Sequence, residues 1–404
     1  MKKLVLVVLA AVFAVGLSFA DGITFSSWGR GIFIGAANAY VQGDGETASS
    51  NKVITGTHQS WGGAGPRVGL SIQGSSEKLG FNLDIAADGT NFGLGDNADI
   101  WIKPIEQIKL VFGKMDHNEL RGDASFGLWD WDRIGVIGKT DEEGWTFPDI
   151  FDVNGFSAIF YPIEGLTLGF AVPLDLEHEG DKEKPKAITD AYIHGAKYGA
   201  SYTIANVGTI KAGAVTKSLS DASSAYTSNS GAISILDIVA SFDFTLVDNL
   251  LVSVGTVIPA YSYVETNKKS STDIRAYGRY EIDSFKIHAL AGTRIGTYDD
   301  NASNVQSGGQ FGFRVGTGVD YAFANSIGLF ADLQYANGIW MANDSSANKD
   351  AFTFGLGVTK GFSNGLIGIA FEATTNGENY SRYTQEKKAG TFAWEIPIRF
   401  EYSF

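Results

Sequence analysis

The 404-residue chain contains no cysteine, 3 methionines, 8 prolines and 5 histidines. After its N-terminus it has no apolar run of the ~20 residues that a transmembrane helix needs. Each shortage excludes a class. Without cysteine there is no disulfide framework, no thiolate metal site and no acylated N-terminal cysteine. Without a long apolar run the chain is not a helical membrane protein, so any membrane attachment comes from the fold itself. Basic residues are also scarce, 31 Lys and Arg against 45 Asp and Glu, for a net charge of -14 and no basic cluster. Such a chain repels a phosphate backbone, and nucleic acid is not an expected partner. What is abundant is glycine, 50 residues, and aromatic side chains, 13% of the chain. There is no Gly-X-Y period, so collagen-like and disordered readings fail together.

Residues 1–20 read as an export signal. Lys2 and Lys3 form the charged start, Leu4 to Leu17 the apolar stretch, and Ser18-Phe19-Ala20 a small-x-small cleavage site. Cleavage after Ala20 leaves residues 21–404 with a net charge of -16.

Beyond that point the apolar residues recur with period two, the signature of strands with one greasy and one polar face. Phe392, Trp394, Ile396, Ile398, Phe400, Tyr402 and Phe404 share one face of the last segment, and Glu395, Pro397, Arg399 and Glu401 the other. Phe311, Phe313, Val315, Thr317, Val319 and Tyr321 alternate in the same way with Gly312, Arg314, Gly316, Gly318 and Asp320. Eight tight turns, among them Pro162-Ile163-Glu164-Gly165, Val247-Asp248-Asn249 and Ser363-Asn364-Gly365, alternate with nine longer polar connections. The expected fold is therefore all-β: a transmembrane antiparallel up-and-down barrel of 18 strands, or 16 if the brief segments around 98–114 are misjudged. An even number puts both termini at the short-turn end. Closure follows from the solvent, because hydrocarbon satisfies no open sheet edge. A barrel of this width encloses an aqueous lumen unless plugged.

Over essentially the whole mature length the chain resembles the bacterial outer-membrane porins. The likeness rests on the signal peptide, the alternation of short and long connections, the period-two strands and the ending Phe400-Glu401-Tyr402-Ser403-Phe404. It implies integral residence in the outer membrane among its lipids and homotrimeric assembly. It also implies that Phe400, Tyr402 and Phe404 are the address read by the barrel assembly machinery.

The first three long connections lie near 41–65, 88–97 and 115–153; the third is the longest, and in porins the third loop folds into the barrel and forms the constriction. Here it carries Asp116, Glu119, Asp123, Asp130, Asp132, Asp141, Glu142, Glu143, Asp149 and Asp152 among Trp129, Trp131, Trp145 and Phe147. An acidic loop that stays outside is the plainer reading, but three tryptophans in a solvated loop are costly to expose. Facing it would be a basic patch on three consecutive strands: Arg275, Arg279, Lys286, Arg294 and Arg314. Simple pairing with neighbouring acids such as Glu281 is an equal alternative.

Catalysis finds no footing. The histidines, His58, His117, His178, His194 and His288, form no spaced set with a serine and an acid, and Glu177-His178-Glu179 reads as a solvated loop rather than a metal site. No enzyme activity, cofactor or metal is expected. Two functions remain: a passive diffusion channel for ions and small hydrophilic solutes, or a closed surface antigen or adhesin barrel that binds partners through its loops.

Overall fold

An extended chain turns successive side chains to opposite faces, and its backbone groups bond edge to edge. The computed structural model describes residues 22–42, 49–58, 65–89, 91–117, 119–120, 147, 150–174, 195–218, 233–262, 270–297, 310–338, 350–375 and 392–404. Nineteen strands join there in one sheet: β1 (Ile23–Gln42), β2 (Ser49–His58), β3 (Arg67–Ser75), β4 (Leu79–Asp88), β5 (Asn91–Ile105), β6 (Ile108–Asp116), β7 (Asp152–Ile163), β8 (Leu166–Pro173), β9 (Lys197–Ile204) and β10 (Gly208–Ser218). The sheet continues through β11 (Ile233–Phe244), β12 (Leu250–Ser262), β13 (Ser270–Ile282), β14 (Phe285–Thr297), β15 (Gln310–Ala322), β16 (Ile327–Ala336), β17 (Ala351–Phe362), β18 (Gly365–Thr374) and β19 (Ala393–Ser403). Residues 1–20, read in the sequence as an export signal, lie outside the described residues.

The sheet closes on itself. β19 pairs antiparallel with β1, from Trp28 opposite Ser403 to Ala37 opposite Glu395. The other edge of β1 is shared, because Ile23–Arg30 pair with β3 whereas the stretch from Ile32 to Gln42 pairs with β2. β2 and β3 thus take one place in the wall between them, and the barrel is eighteen-stranded. At the handover a Cβ on Gly31 would come within 3.0 Å of the Pro66 ring, so a glycine lets the two segments meet closely there. The seam is also pinned on its inner side, where Arg30 donates from Nε and Nη2 to the two Glu401 carboxylate oxygens at 3.0 and 3.1 Å. Arg399 donates to the same carboxylate.

All eight expected tight turns are present at one end. The left-handed residues that turns need fall in several of them, at Gly165, Asn206, Asn249, Asp283 and Asn325. Two expectations at the other end are corrected. Residues 41–65 read as loop in the sequence but contain β2, whose sequence SSNKVITGTH is too polar to show a period. Residues 88–97 read as a long connection, yet β5 begins at Asn91. A register shift between Leu83 and Ile85 in the β4–β5 pairing breaks the alternation there, and Gly-Asp-Asn at 95–97 imitates a loop.

The outer face is apolar. Val315 is 47% exposed while Arg314, its neighbour on the opposite face, is 1% exposed. Ring contacts gather in bands toward both ends of the strands. Phe285, Tyr321 and Phe323 touch with centroids 4.6 Å apart near the turns, and Phe313, Tyr335 and Phe352 are linked at 5.7 and 4.8 Å near the long connections. Aromatic girdles of this kind mark the two membrane–water interfaces of a barrel.

Val315→Arg puts a charge on the lipid face and should cost ~2 to 4 kcal/mol of stability near the bilayer midplane. Lys286→Gln, on the inner face, should change stability by less than ~1 kcal/mol. Guanidinium unfolding in liposomes reads both, and equal losses would reject this assignment of faces.

Candidate functional site on the inner wall

The interior contains a smooth apolar track. Gly169 on β8, Gly199 on β9 and Gly213 on β10 stand opposite one another in the register. Both flanks of the third connection lie on this track. A Cβ on Gly169 would sit 2.4 Å from the Phe151 ring and 3.2 Å from Leu120. One on Gly199 would meet Ile150 and Leu120 at 3.0 Å, and one on Gly213 the Phe147 ring at 3.4 Å. These four side chains are almost fully buried, in one cluster with Val111, Met115, Ile159, Val215 and Val239 of the wall. The Ile150 amide donates to the Leu120 carbonyl at 3.4 Å and ties the two flanks together. The glycines are there because the wall must be flat where the connection lies on it.

A polar anchor sits beside this contact. His117 Nε2 lies 3.2 Å from Asp99 Oδ2, and Lys109 donates from Nζ to Glu119 Oε1 at 3.0 Å. Asn82 donates from Nδ2 to the other Asp99 oxygen at 3.0 Å. Burial pushes the Glu119 carboxyl up, but the Lys109 ammonium and its hydrogen bond, with a backbone hydrogen bond and the nearby His117 ring, together hold it below the usual carboxylate range.

Farther around the wall the expected basic residues share the inner face of β13 to β15 but do not form a bare positive patch. Arg279 and Lys286 reach Glu281 Oε1 at 3.2 and 3.7 Å, and Arg275 and Arg294 reach Asp273 at 3.3 and 3.2 Å. Pairing with neighbouring acids is thus what the structure shows for these four. Between them runs a hydrogen-bond chain. The Asp320 carboxylate can only accept, so His288 Nε2 donates to it at 2.9 Å, leaving Nδ1 to accept from the Tyr277 hydroxyl at 2.7 Å. Nor is this wall uniformly washed by water. Arg314, Asp332, Glu372, Glu395 and Arg399 all face inward and all are buried.

Of the expected constriction residues, Asp130, Asp132, Asp141, Glu142 and Glu143 lie outside the described residues, as do Trp129, Trp131 and Trp145. Phe147, from the same connection, is on the wall. Phe400 and Phe404 point outward, and Tyr402 lies over Gly29 of β1. Phe404 exchanges backbone hydrogen bonds with Ser27 at 2.7 and 3.0 Å. Among the described residues no group of three His, Asp or Glu is placed to hold a metal. The glycine track and the Asp99–His117 contact were missed by sequence reasoning. A glycine shared by three adjacent strands becomes a signal only once register is known, and Asp99 is recognisable as an inward residue only once β5 is in phase.

Two outcomes test this geometry. Gly169→Val should displace Phe151 and raise the rate of proteolytic cleavage within the third connection about tenfold or more, read by limited proteolysis of the folded barrel. Because the Glu119 carboxyl is depressed in the fold, its contribution to stability is complete above the ordinary carboxylate pKa and is lost as pH falls through the folded value. Lys109→Met removes the ammonium and its hydrogen bond and leaves burial less opposed at Glu119, so the loss of stability between about pH 5 and pH 3 should shrink, as measured by chemical denaturation.

No family model and no curated protein matches the chain. Solved structures do. The outer membrane protein OpdK of Pseudomonas aeruginosa superposes over 96% of this chain and 100% of its own, with a TM-score of 0.54 at 9% identity. OpdQ of the same species covers 96% and 99% of the two chains, with a TM-score of 0.51 at 10% identity. A protein described as an anion-selective porin from Comamonas acidovorans covers 95% and 100%, with a TM-score of 0.50 at 11% identity. At such low identity the likeness speaks for the backbone and nothing finer, and what it establishes is that this chain has the closed β-barrel fold of the bacterial outer-membrane porins.

Proposed function

We propose that the chain is an outer-membrane channel through which ions and small hydrophilic solutes pass by passive diffusion, with the third connection narrowing the lumen. The observation that carries this reading is the seating of both flanks of that connection on the inner wall, Leu120 on one side and Phe147, Ile150 and Phe151 on the other. On this reading Asp130, Asp132, Asp141, Glu142 and Glu143 of the same connection form one wall of the narrow zone. The other wall of that zone, on the same reading, is Arg275, Arg279, Lys286, Arg294 and Arg314. The pairing of the first four with Asp273 and Glu281 leaves a smaller positive excess than five free cations would supply. The same reading includes insertion among outer-membrane lipids, homotrimeric assembly, and recognition of Phe400, Tyr402 and Phe404 by the assembly machinery.

Planar-bilayer conductance is the direct test. Discrete ion-conducting steps are expected, with weak cation preference in dilute salt that fades as salt rises, since charges beyond ~10 Å are screened at 0.1 M. Neutralising the five loop acids together should move the zero-current potential toward anions, and neutralising Arg279, Arg294 and Arg314 should move it the other way. A folded but silent barrel would favour the surface-binding reading, and unchanged selectivity in both variants would remove the loop from the lumen. Deleting Phe404 should lower the amount of folded barrel in the outer membrane without affecting export across the inner one, as read by fractionation and heat-modifiable migration.

A further inference from the structure

The anchor of the third connection contains an imidazole between two carboxylates. Besides its 3.2 Å contact with Asp99, His117 directs Nδ1 toward Glu119 Oε2 at 3.8 Å. A neutral imidazole has one N–H. An ionised carboxylate only accepts, so in the neutral ring that hydrogen goes to Asp99 and Nδ1 turns a lone pair toward Glu119. The protonated ring carries a hydrogen on both nitrogens and attracts both acids. Proton uptake therefore converts a one-sided contact into a bridge between the wall, through Asp99 of β5, and the flank of the connection, through Glu119.

The surroundings preserve this asymmetry. Asp99 has no exposed side-chain area and is fixed by Asn82 of β4. Among the described residues the cation in contact with Glu119 is Lys109 of β6, which engages Oε1 and leaves Oε2 to the ring. The Lys109 ammonium also lies over the Trp101 ring, 5.9 Å from its centroid. Of the remaining titratable groups nearby, Tyr161 of β7 is close enough to Glu119 to feel its charge. Asp84 of β4 is held by Asn97, whose Oδ1 in turn accepts from the Asp116 amide. Glu119, depressed in its titration by Lys109, remains ionised where histidine changes charge. The next residue, Leu120, has φ +55°, a left-handed backbone that a leucine keeps only while its surroundings hold it. Its side chain is the one that lies on Gly169 and Gly199.

We infer that His117 is a proton-dependent latch: protonation of its imidazole tightens the flank of the third connection onto the inner wall, and deprotonation loosens it. This goes beyond the channel reading and does not depend on conductance. Imidazole side chains as a class change charge between about pH 5 and 8, so a comparison across that range tests the latch.

The absence of cysteine gives a clean test. Leu120→Cys places a single thiol on the latch, and Ser363→Cys places one on an exposed turn as a control for the thiol's own response to pH. Labelling of the detergent-folded barrel with a water-soluble maleimide is compared at about pH 6 and pH 8. The labelling rate of the Leu120→Cys variant, divided by that of the Ser363→Cys variant, should rise severalfold with pH. Adding His117→Gln, whose amide can still donate to Asp99, should abolish the rise, and Glu119→Gln, which removes the second carboxylate, should flatten it as well. A ratio equal at both pH values in the parent overturns the inference, as does a rise that survives in His117→Gln. Should that variant fail to show heat-modifiable migration, Glu119→Gln decides alone: a rise that persists in it overturns the latch.

Discussion

Hydrocarbon offers a backbone nothing to bond with, and the rest of the architecture depends on that one deficit. Every N–H and C=O within the bilayer must find its partner in a neighbouring strand, so the first strand has to meet the last. Eighteen wall positions, the shared edge of β1 and the Arg30–Glu401 pair across the seam all serve that closure. The outward greasy faces follow from the same solvent, since lipid accepts Val315 at little cost and a charge there at a large one. The aromatic bands at both ends are where that solvent gives way to water.

Closure fixes the perimeter and therefore creates an interior to be furnished. Large charged side chains and glycines share that inner face, so crowding varies around the barrel. Between β8 and β10 the wall is bare enough to receive Phe147, Ile150, Phe151 and Leu120. Between β13 and β15 it carries ion pairs and the Tyr277–His288–Asp320 chain. The interior thus has an apolar docking side and a charged side, and the third connection is fastened at the junction of the apolar side with Lys109, Asp99 and His117.

Much of the fold was legible because in a barrel the outer face of almost every strand meets the same lipid. Period two is then unbroken, as at Phe311 to Tyr321 and Phe392 to Phe404, and strand count and strand phase come with it. Legibility failed where that uniformity fails. β2 pairs with β1 from Ile32 to Gln42, beyond where the β19 pairing stops at Ala37, and its polar sequence shows no alternation. β5 is interrupted by a register shift. The candidate site was less visible for a different reason. Inward charges could be named from phase, but whether Arg275 pairs with Asp273, or Arg279 with Glu281, depends on neighbours two residues away on one strand and on rotamers that no alternation records. The docking track needed three glycines, far apart in sequence, to fall in one row.

The seam also sets a schedule. The ion pair that closes the wall joins residues 371 positions apart, and the terminal Phe404 is itself hydrogen-bonded to Ser27. β1 leaves the ribosome before β19, so both edges of the seam stay open until the last of these strands is made. Contacts between such distant residues form slowly, because the long loop must be closed before its bonds reward it. β2 and β3 shorten that exposure on one side only, since both come from nearby sequence and cover one edge of β1 early. The other edge waits for the final eleven-residue strand. A chain without β19 would leave that edge of β1 open, however well its other strands paired.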